Sequence, residues 1–176
     1  DSMTEITPLT TFVQRFREAS KVERSHTMPH HGSYSVGQHS FDMLTLLIAL
    51  YPDCSKELMI AVIFHDLAER WTGDIPQPAK LSDGEFGKRL AQVEARVSKR
   101  LGWTVHLDEL ERFWLTGLDV VEYHLWAKEQ IAMGNQNAQT TLAKTIVWLQ
   151  NNRIPAELAD FVDEHVWTRT PDEMPG

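Results

Sequence analysis

The 176-residue sequence has one cysteine, no long apolar run and no excess of positive charge. A single cysteine, Cys54, cannot form an internal disulfide, which indicates a reducing compartment. The longest nearly apolar run, residues 43–51, contains Thr45 and is shorter than the ~20 residues that a membrane-spanning helix needs. With 17 Lys and Arg against 25 Asp and Glu, the net charge is −8. The chain therefore lacks the basic face that sequence-independent nucleic-acid binding needs, and we expect neither membrane nor nucleic-acid partners.

The N-terminus also lacks a charged-then-apolar secretion signal, so we expect a cytoplasmic protein. Asp1 and Ser2 precede Met3 and look like a cloning remnant, and we leave them out of the fold argument. A length near that of one average domain predicts that residues 1–176 form a single domain. The hydrophobic fraction of 42% is enough to fill its core.

Apolar residues recur at helical spacing along almost the whole chain, and no period-two alternation, repeat or low-complexity segment interrupts them. We therefore predict an all-α fold, a bundle of about six to eight helices. The expected helices run from Thr7-Pro8 to Ala19, Ser35 to about Tyr51, Ser55 to Gly73, Ser82 to Gly102, Leu107 to Met133 (one helix, or two joined near Gly117), about Ala138 to Leu149, and Pro155 to Val166.

Capping and breaking residues set several of these limits. Ser35 with Gln38, and Ser82 with Glu85, are spaced as capping boxes. The segment Ile75–Pro78 holds two prolines and cannot lie inside a helix. The helix after Ser82 is expected to bury five apolar residues, namely Phe86, Leu90, Val93, Val97 and Leu101.

Four polar residues stand inside apolar surroundings. His65 and Asp66 directly follow the most apolar stretch of the chain, His39 lies about one turn inside the preceding helix, and Asp119 interrupts an apolar run. Burying a carboxylate costs several kcal/mol unless it is paired or bound to a cation. Two imidazoles and two carboxylates from three helices suit a divalent metal such as Mn, Co, Fe or Zn.

A structural reading of these residues competes with the metal site. A lone buried histidine is more often a hydrogen-bonded core residue than a ligand, and a lone aspartate is more often a cap or an ion-pair partner. The following residues favour the metal, because Glu69, Asp74 and Lys80 surround a stiff proline loop immediately after the His-Asp pair. From the residues alone, both readings stay open.

The order His39 … His65-Asp66 … Asp119 resembles the H…HD…D signature of the HD-domain metal-dependent phosphohydrolases. More narrowly, residues 36–40 (VGQHS) and 65–80 (HDLAERWTGDIPQPAK) resemble the bacterial HD-domain 5′-deoxynucleotidases and the phage dATP triphosphohydrolases built on the same scaffold. The resemblance runs from about Arg24 to Lys128. It implies that the bundle is an HD domain.

The resemblance also implies roles for individual residues. A divalent transition metal (Co, Mn, Zn or Fe, with Mg as a further option) would be held by four ligands, His39, His65, Asp66 and Asp119. Glu69 and Asp74 would orient or deprotonate the attacking water, and Lys80 would neutralise phosphate oxygens. Arg24 stands where the family places an arginine that reaches the nucleotide phosphate or sugar.

The sequence departs from the family just after that arginine. The family usually has an aromatic residue there that packs on the nucleoside, whereas this chain has Ser25-His26-Thr27. The base or sugar would then be bound differently, for which Val22, His26 and Pro78 are the candidates. Glu122, one turn after Asp119, is either a substrate hydroxyl contact or a salt-bridge partner.

The resemblance favours a dATP triphosphohydrolase that converts dATP and water to deoxyadenosine and triphosphate and depletes dATP during phage replication. The alternative is a 5′-deoxynucleotidase acting on deoxynucleoside monophosphates. A second alternative is a catalytically idle nucleotide-binding regulatory module, although Glu69 and Asp74 argue against it because binding alone needs no base. We also expect a homo-oligomer, a dimer or hexamer, in the host cytoplasm if the protein is phage-encoded. We expect four tryptophans to lie in the core or in the oligomer interface, namely Trp114, Trp126, Trp148 and Trp167.

Overall fold

The computed structural model describes residues 9–102 and 104–164, without the side chains of Gln77 and Leu81. Over these ranges the chain forms helices and no strand, apart from one isolated β-bridge between Glu23 and Ser35, which confirms the all-α prediction. The helices are α1 (Leu9–Ala19), α2 (Val36–Leu50), α3 (Lys56–Phe64), α4 (Glu69–Thr72), α5 (Gln77–Ser82), α6 (Gly84–Leu101), α7 (Glu109–Ala132), α8 (Gln139–Asn151) and α9 (Ala156–Glu164). None of the described helices is long and apolar enough to span a membrane.

The main core lies where α2, α3 and α7 pack together, with α9 against α7. Its fully buried side chains come from all four helices and include Met43, Leu47, Leu58, Val62, Leu118, Val121 and Leu158. Fully burying one such side chain stabilises the fold by about 1.5–3 kcal/mol. The three helices that carry the candidate ligands therefore all contribute to the main core.

Two serines at which the sequence predicts a helix start do cap their helices. The Ser35 hydroxyl accepts from the Gln38 backbone N–H at 3.2 Å, and the Ser55 hydroxyl accepts from Leu58 N–H at 3.0 Å. The Gln38 side chain donates to Asp42 instead of returning to the Ser35 backbone, so Ser35 caps without the reciprocal half of the box. The predicted start of the first helix at Thr7-Pro8 lies outside the described residues.

The helix expected from Ser55 to Gly73 is in fact two helices, α3 and α4, separated by residues 65–68. Tighter i to i+3 hydrogen bonds form this turn, from Leu67 N to Phe64 O and from Glu69 N to Asp66 O, both at 3.0 Å. Gly73 ends α4 as predicted, and its φ of +71° is a conformation that favours glycine.

The proline segment and the start of α6 also differ from expectation. The end of Ile75–Pro78 is helical, since α5 begins at Gln77 and Pro78 lies in its first turn, where a missing N–H breaks no helical bond. The cap of α6 is Asp83, which accepts from Glu85 N–H at 2.9 Å, and not Ser82, which ends α5. Along α6, Leu90 and Leu101 are buried as predicted.

Phe86 and Val93 contradict the predicted apolar face of α6, because they are 40% and 38% exposed. This helix packs mainly on the short α5, which covers only part of its apolar face.

The long helix α7 runs unbroken through Gly117. A Cβ atom at Gly117 would lie 3.1 Å from Leu158 Cδ1 and 3.2 Å from Pro155 Cδ. The glycine therefore allows α9 to pack closely against α7, and it does not divide the helix. Trp114 and Trp126 are buried on α7, Trp148 is partly buried on α8, and Trp167 lies outside the described residues. A 3-10 turn at Gln136–Ala138 precedes α8, and α9 is described to Glu164.

Candidate metal centre and its cleft

Three helices bring two histidines and an aspartate to one place. His39 lies one turn inside α2, His65 lies at the C-terminal end of α3, and Asp119 lies in the middle of α7. Their ligand atoms all lie within 4.8 Å of one another. His39 is 0% exposed, whereas the Asp119 side chain is 46% exposed. The group therefore has a buried floor and an open side from which an ion and a substrate could enter.

Hydrogen bonds fix which nitrogen of each ring faces this group. His65 Nδ1 donates to the Val62 carbonyl at 2.8 Å, and His39 Nδ1 donates to the Glu122 carboxylate. Each Nε2 therefore faces the group of three, and neither solvent-inaccessible Nε2 has a hydrogen-bond partner.

Carboxylate oxygens lie close to both nitrogens. Asp119 Oδ1 lies 3.0 Å from His39 Nε2, and Asp66 Oδ2 lies 3.2 Å from His65 Nε2, at angles that do not match a hydrogen bond. Ring nitrogens and carboxylate oxygens at these distances repel one another unless a proton or a metal ion lies between them. The donor set of two imidazoles and carboxylate oxygen suits Zn²⁺ and neighbouring divalent metals, so the residues fit such an ion.

Asp66 adjoins the group of three and has a second partner. Its Oδ2 lies 3.9 Å from His39 Nε2 and accepts from Arg24 Nη1, while Arg24 Nη2 lies 3.8 Å from Asp119 Oδ1. Burial disfavours ionisation of Asp66, but His65 and then Arg24 outweigh burial and hold the pKa of that carboxyl well below its usual range. Burial likewise disfavours the charged His65 ring, yet Asp66 and Asp119 raise its pKa to about 9. The cluster thus favours positive charge at its centre.

Glu69 is a buried carboxyl beside this cluster. It begins α4, and its Oε2 is inaccessible to solvent and has no hydrogen-bond partner. Burial first, and then the charges of Asp66 and Asp74, raise the pKa of Glu69 to about 8. A carboxyl with a pKa near neutrality can both accept and release a proton at the operating pH, as a general base must.

The loop between α1 and α2 is tied to the site through Ser25 and Asp74. Ser25 has a φ of +52°, its N–H donates to Asp74 Oδ2 at 2.8 Å, and its hydroxyl lies 2.8 Å from the Tyr123 hydroxyl. The neighbouring Arg24 guanidinium lies 5.6 Å from the centre of the Tyr34 ring. These contacts hold Arg24 against the carboxylates of the cluster.

The other predicted substrate residues lie on the α1–α2 loop and on α5. Lys80 is in the last turn of α5, and its charge opposes the rise in the pKa of Glu69. His26 is 48% exposed, with Nδ1 4.0 Å from Asp74 Oδ2. Val22 lies at the base of the loop, where its carbonyl accepts from Val36 N–H at 2.8 Å, and Pro78 is exposed. Their contacts with a nucleotide stay predictions.

Glu122 lies behind His39 and not in the opening. It accepts from His39 Nδ1 and from the Tyr34 hydroxyl, and it is 3% exposed. Of the two alternatives for Glu122, this position favours a salt-bridge partner, here of His39, over a substrate hydroxyl contact.

Sequence reasoning gave no role in the site to Tyr34 or Tyr123. Tyr123 follows Asp119 by four residues on α7, a spacing that places both on one helix face and could have revealed it. Nothing in the local sequence points to Tyr34.

The all-α fold and the meeting of His39, His65-Asp66 and Asp119 are those of an HD-domain nucleotide phosphohydrolase. The family model of the YfbR-like 5′-deoxynucleotidases matches residues 11–167, and the chain belongs to this family. It is accordingly a phosphohydrolase of deoxynucleotides.

Among solved structures, the cyanophage S-2L HD phosphohydrolase DatZ, bound to dA and one catalytic Zn²⁺ ion, is similar to this chain. The two share 18% sequence identity at a TM-score of 0.64, over 88% of this chain and 91% of DatZ. At that identity the likeness shows the fold. No curated protein matches the sequence significantly.

Proposed function

We propose that the protein is a divalent-metal-dependent dATP triphosphohydrolase, which converts dATP and water to deoxyadenosine and triphosphate and so depletes dATP during phage replication. The observation that carries the metal dependence is the pair of buried Nε2 atoms of His39 and His65, which lack hydrogen-bond partners and face Asp119. The similarity to DatZ, a structure with bound dA and Zn²⁺, supports the choice of nucleoside and of metal.

His39, His65 and Asp119 would hold the ion, with Asp66 as a fourth ligand. An ion bound there would lower the pKa of its water and polarise the phosphoryl oxygens. The residues around it supply the remaining requirements of phosphoryl transfer, which are positioning and charge neutralisation.

Glu69 accepts the proton of the water that attacks the α-phosphorus. Its raised pKa of about 8 makes it a stronger proton acceptor than an ordinary glutamate. Asp74, held by the Ser25 N–H, orients the water from the other side of the proline loop.

Arg24 and Lys80 neutralise the phosphates. They matter in a chain of net charge −8, because a polyphosphate would otherwise meet a repulsive field. With the α-phosphate at the cluster, the β- and γ-phosphates extend toward α5 and Lys80. Val22, His26 and Pro78 line the space for the nucleoside.

The second candidate function is a 5′-deoxynucleotidase that acts on deoxynucleoside monophosphates, and the family name favours it. The same scissile P–O bond is broken, so one site could serve both substrates. An idle regulatory module is the weakest candidate, because binding alone would not require a buried carboxyl such as Glu69. The cytoplasmic location and the homo-oligomer stay predictions.

The test is identification of the products of dATP and dAMP by chromatography, in the presence of Zn²⁺, Co²⁺ or Mn²⁺. We expect deoxyadenosine and intact triphosphate in equal amounts, without dADP or dAMP. In ¹⁸O-labelled water, the label should enter triphosphate and not the sugar hydroxyl, because water attacks phosphorus. Stepwise release of orthophosphate would contradict the triphosphohydrolase, and cleavage of dAMP alone would establish the second candidate.

A further inference from the structure

Three buried polar side chains form a chain of hydrogen bonds behind the candidate metal centre. His39, Tyr34 and Glu122 are 0%, 1% and 3% exposed. One oxygen of Glu122 accepts from both His39 Nδ1 and the Tyr34 hydroxyl, which itself lies 3.3 Å from His39 Nδ1. All three groups are out of reach of a substrate in the opening.

The same helix contacts both nitrogens of the His39 ring. On α7, Asp119 lies 3.0 Å from Nε2, and Glu122, one turn later, accepts from Nδ1. A carboxylate buried this deeply is costly unless its partners compensate, and Tyr34 and His39 are those partners. The ring therefore has one protonated nitrogen facing Glu122 and one lone pair facing the cluster.

We propose that Glu122, held in place by Tyr34, is a positioning residue that fixes the Nδ1–H tautomer of His39 and directs its Nε2 at the metal. This inference rests on the proposed function, because it requires His39 to be a ligand. Mutation of a carboxylate that accepts a hydrogen bond from a ligand histidine typically lowers metal affinity or activity by about 10–100-fold. Tyr34 also lies under the Arg24 guanidinium, so it links the positions of His39 and Arg24.

The experiment measures the affinity of the folded, metal-stripped protein for Zn²⁺ by chelator competition, and the visible absorption spectrum of its Co²⁺ form. Glu122→Leu should weaken Zn²⁺ binding by about 10–100-fold and alter the Co²⁺ spectrum. Glu122→Gln should recover part of that loss, because an amide oxygen still accepts from Nδ1. Tyr34→Phe should have a smaller effect than Glu122→Leu, because it removes one donor to Glu122 and keeps the ring.

The matched control is Gln130→Leu. Gln130 is equally buried on α7 and binds the same loop through His31, with its Oε1 accepting from His31 N–H at 2.8 Å. This variant should lose stability while its Zn²⁺ affinity and Co²⁺ spectrum stay as in the wild type. Circular dichroism identifies which variants are folded.

Unchanged affinity and spectrum in folded Glu122→Leu would overturn the inference, as would a Glu122→Gln protein no better than Glu122→Leu. If Glu122→Leu does not fold, Glu122→Gln and Tyr34→Phe carry the test, and wild-type affinity in both would overturn it. A wild-type protein that binds no Zn²⁺ or Co²⁺ would instead overturn the proposed function together with this inference.

Discussion

The floor and the rim of the site are built differently. The floor comes from α2, α3 and α7, where each candidate ligand histidine has one ring nitrogen held by a buried partner, Glu122 or Val62. The rim comes from the α1–α2 loop and α5, which carry polar side chains such as His26 and Lys80. From this difference we expect reactivity to depend on the floor and substrate choice to depend on the rim.

Asp119→Asn is the variant for which we expect the largest effect. It retains shape but removes the carboxylate that faces both imidazoles, so metal binding should be lost and hydrolysis should fall to background. The metal supplies several kcal/mol of transition-state stabilisation, and each 1.36 kcal/mol is about a tenfold change in rate. Metal content and turnover check this result.

Asp108→Asn is the matched control for Asp119→Asn, because Asp108 caps α7 and asparagine caps helices equally well. This variant should keep its metal and its activity. Wild-type turnover in Asp119→Asn would show that hydrolysis does not depend on the floor.

Glu69→Gln should separate proton transfer from metal binding. We expect the metal to stay bound while kcat falls by about 10²–10⁴-fold, the usual range for loss of a positioned base. Single-turnover kinetics together with metal analysis would check it, with the exposed Glu85→Gln as control. Loss of the metal in Glu69→Gln would show instead that Glu69 is a metal ligand and belongs to the floor.

Metal affinity should depend on pH through His65. Its pKa in the metal-free protein is raised to about 9, so below that pH the ring carries a proton that the ion must displace. The apparent Kd for Zn²⁺ should therefore rise about tenfold for each unit by which the pH falls below 9, from this group alone. Chelator-competition titrations between pH 7 and 9.5 measure the slope, and a flat profile below pH 9 would contradict it.

Lys80→Ala tests the rim and should have the smallest effect of the four changes. A hydrogen bond to a charged group contributes about 1.5–3 kcal/mol, so KM for dATP should rise by about tenfold or more. KM for dAMP should change less, because Lys80 is expected to contact the β- and γ-phosphates. Steady-state kinetics with both substrates check this, with the exposed Lys88→Ala as control. Equal effects on both substrates would place Lys80 at the α-phosphate.

Much of the floor could be predicted from the sequence. Polar residues inside strongly apolar stretches identified His39, His65 and Asp119, and serine caps placed the helices that carry two of them. These signals are local, since each depends on residues within a few positions of one another.

Some features that escaped prediction are tertiary, and others are local. Tyr34 and Glu122 are 88 residues apart in sequence, and only the packing of α7 against the loop brings them together. The turn that separates α3 from α4 contains no glycine or proline, so helical periodicity continued through it. The sequence predicts Ser82 as the cap of α6, but Asp83 is the cap because α5 extends to Ser82.

The central claim is that His39, His65 and Asp119 hold a divalent ion without which no hydrolysis occurs. The most direct test is titration of metal-stripped protein with Zn²⁺ or Co²⁺ while deoxyadenosine release from dATP and dAMP is followed. We predict no turnover before metal is added, and turnover that saturates at about one ion per chain, as the single group of three residues among those described implies. Full turnover by the stripped protein, or the same titration curve for His65→Ala, would contradict the account.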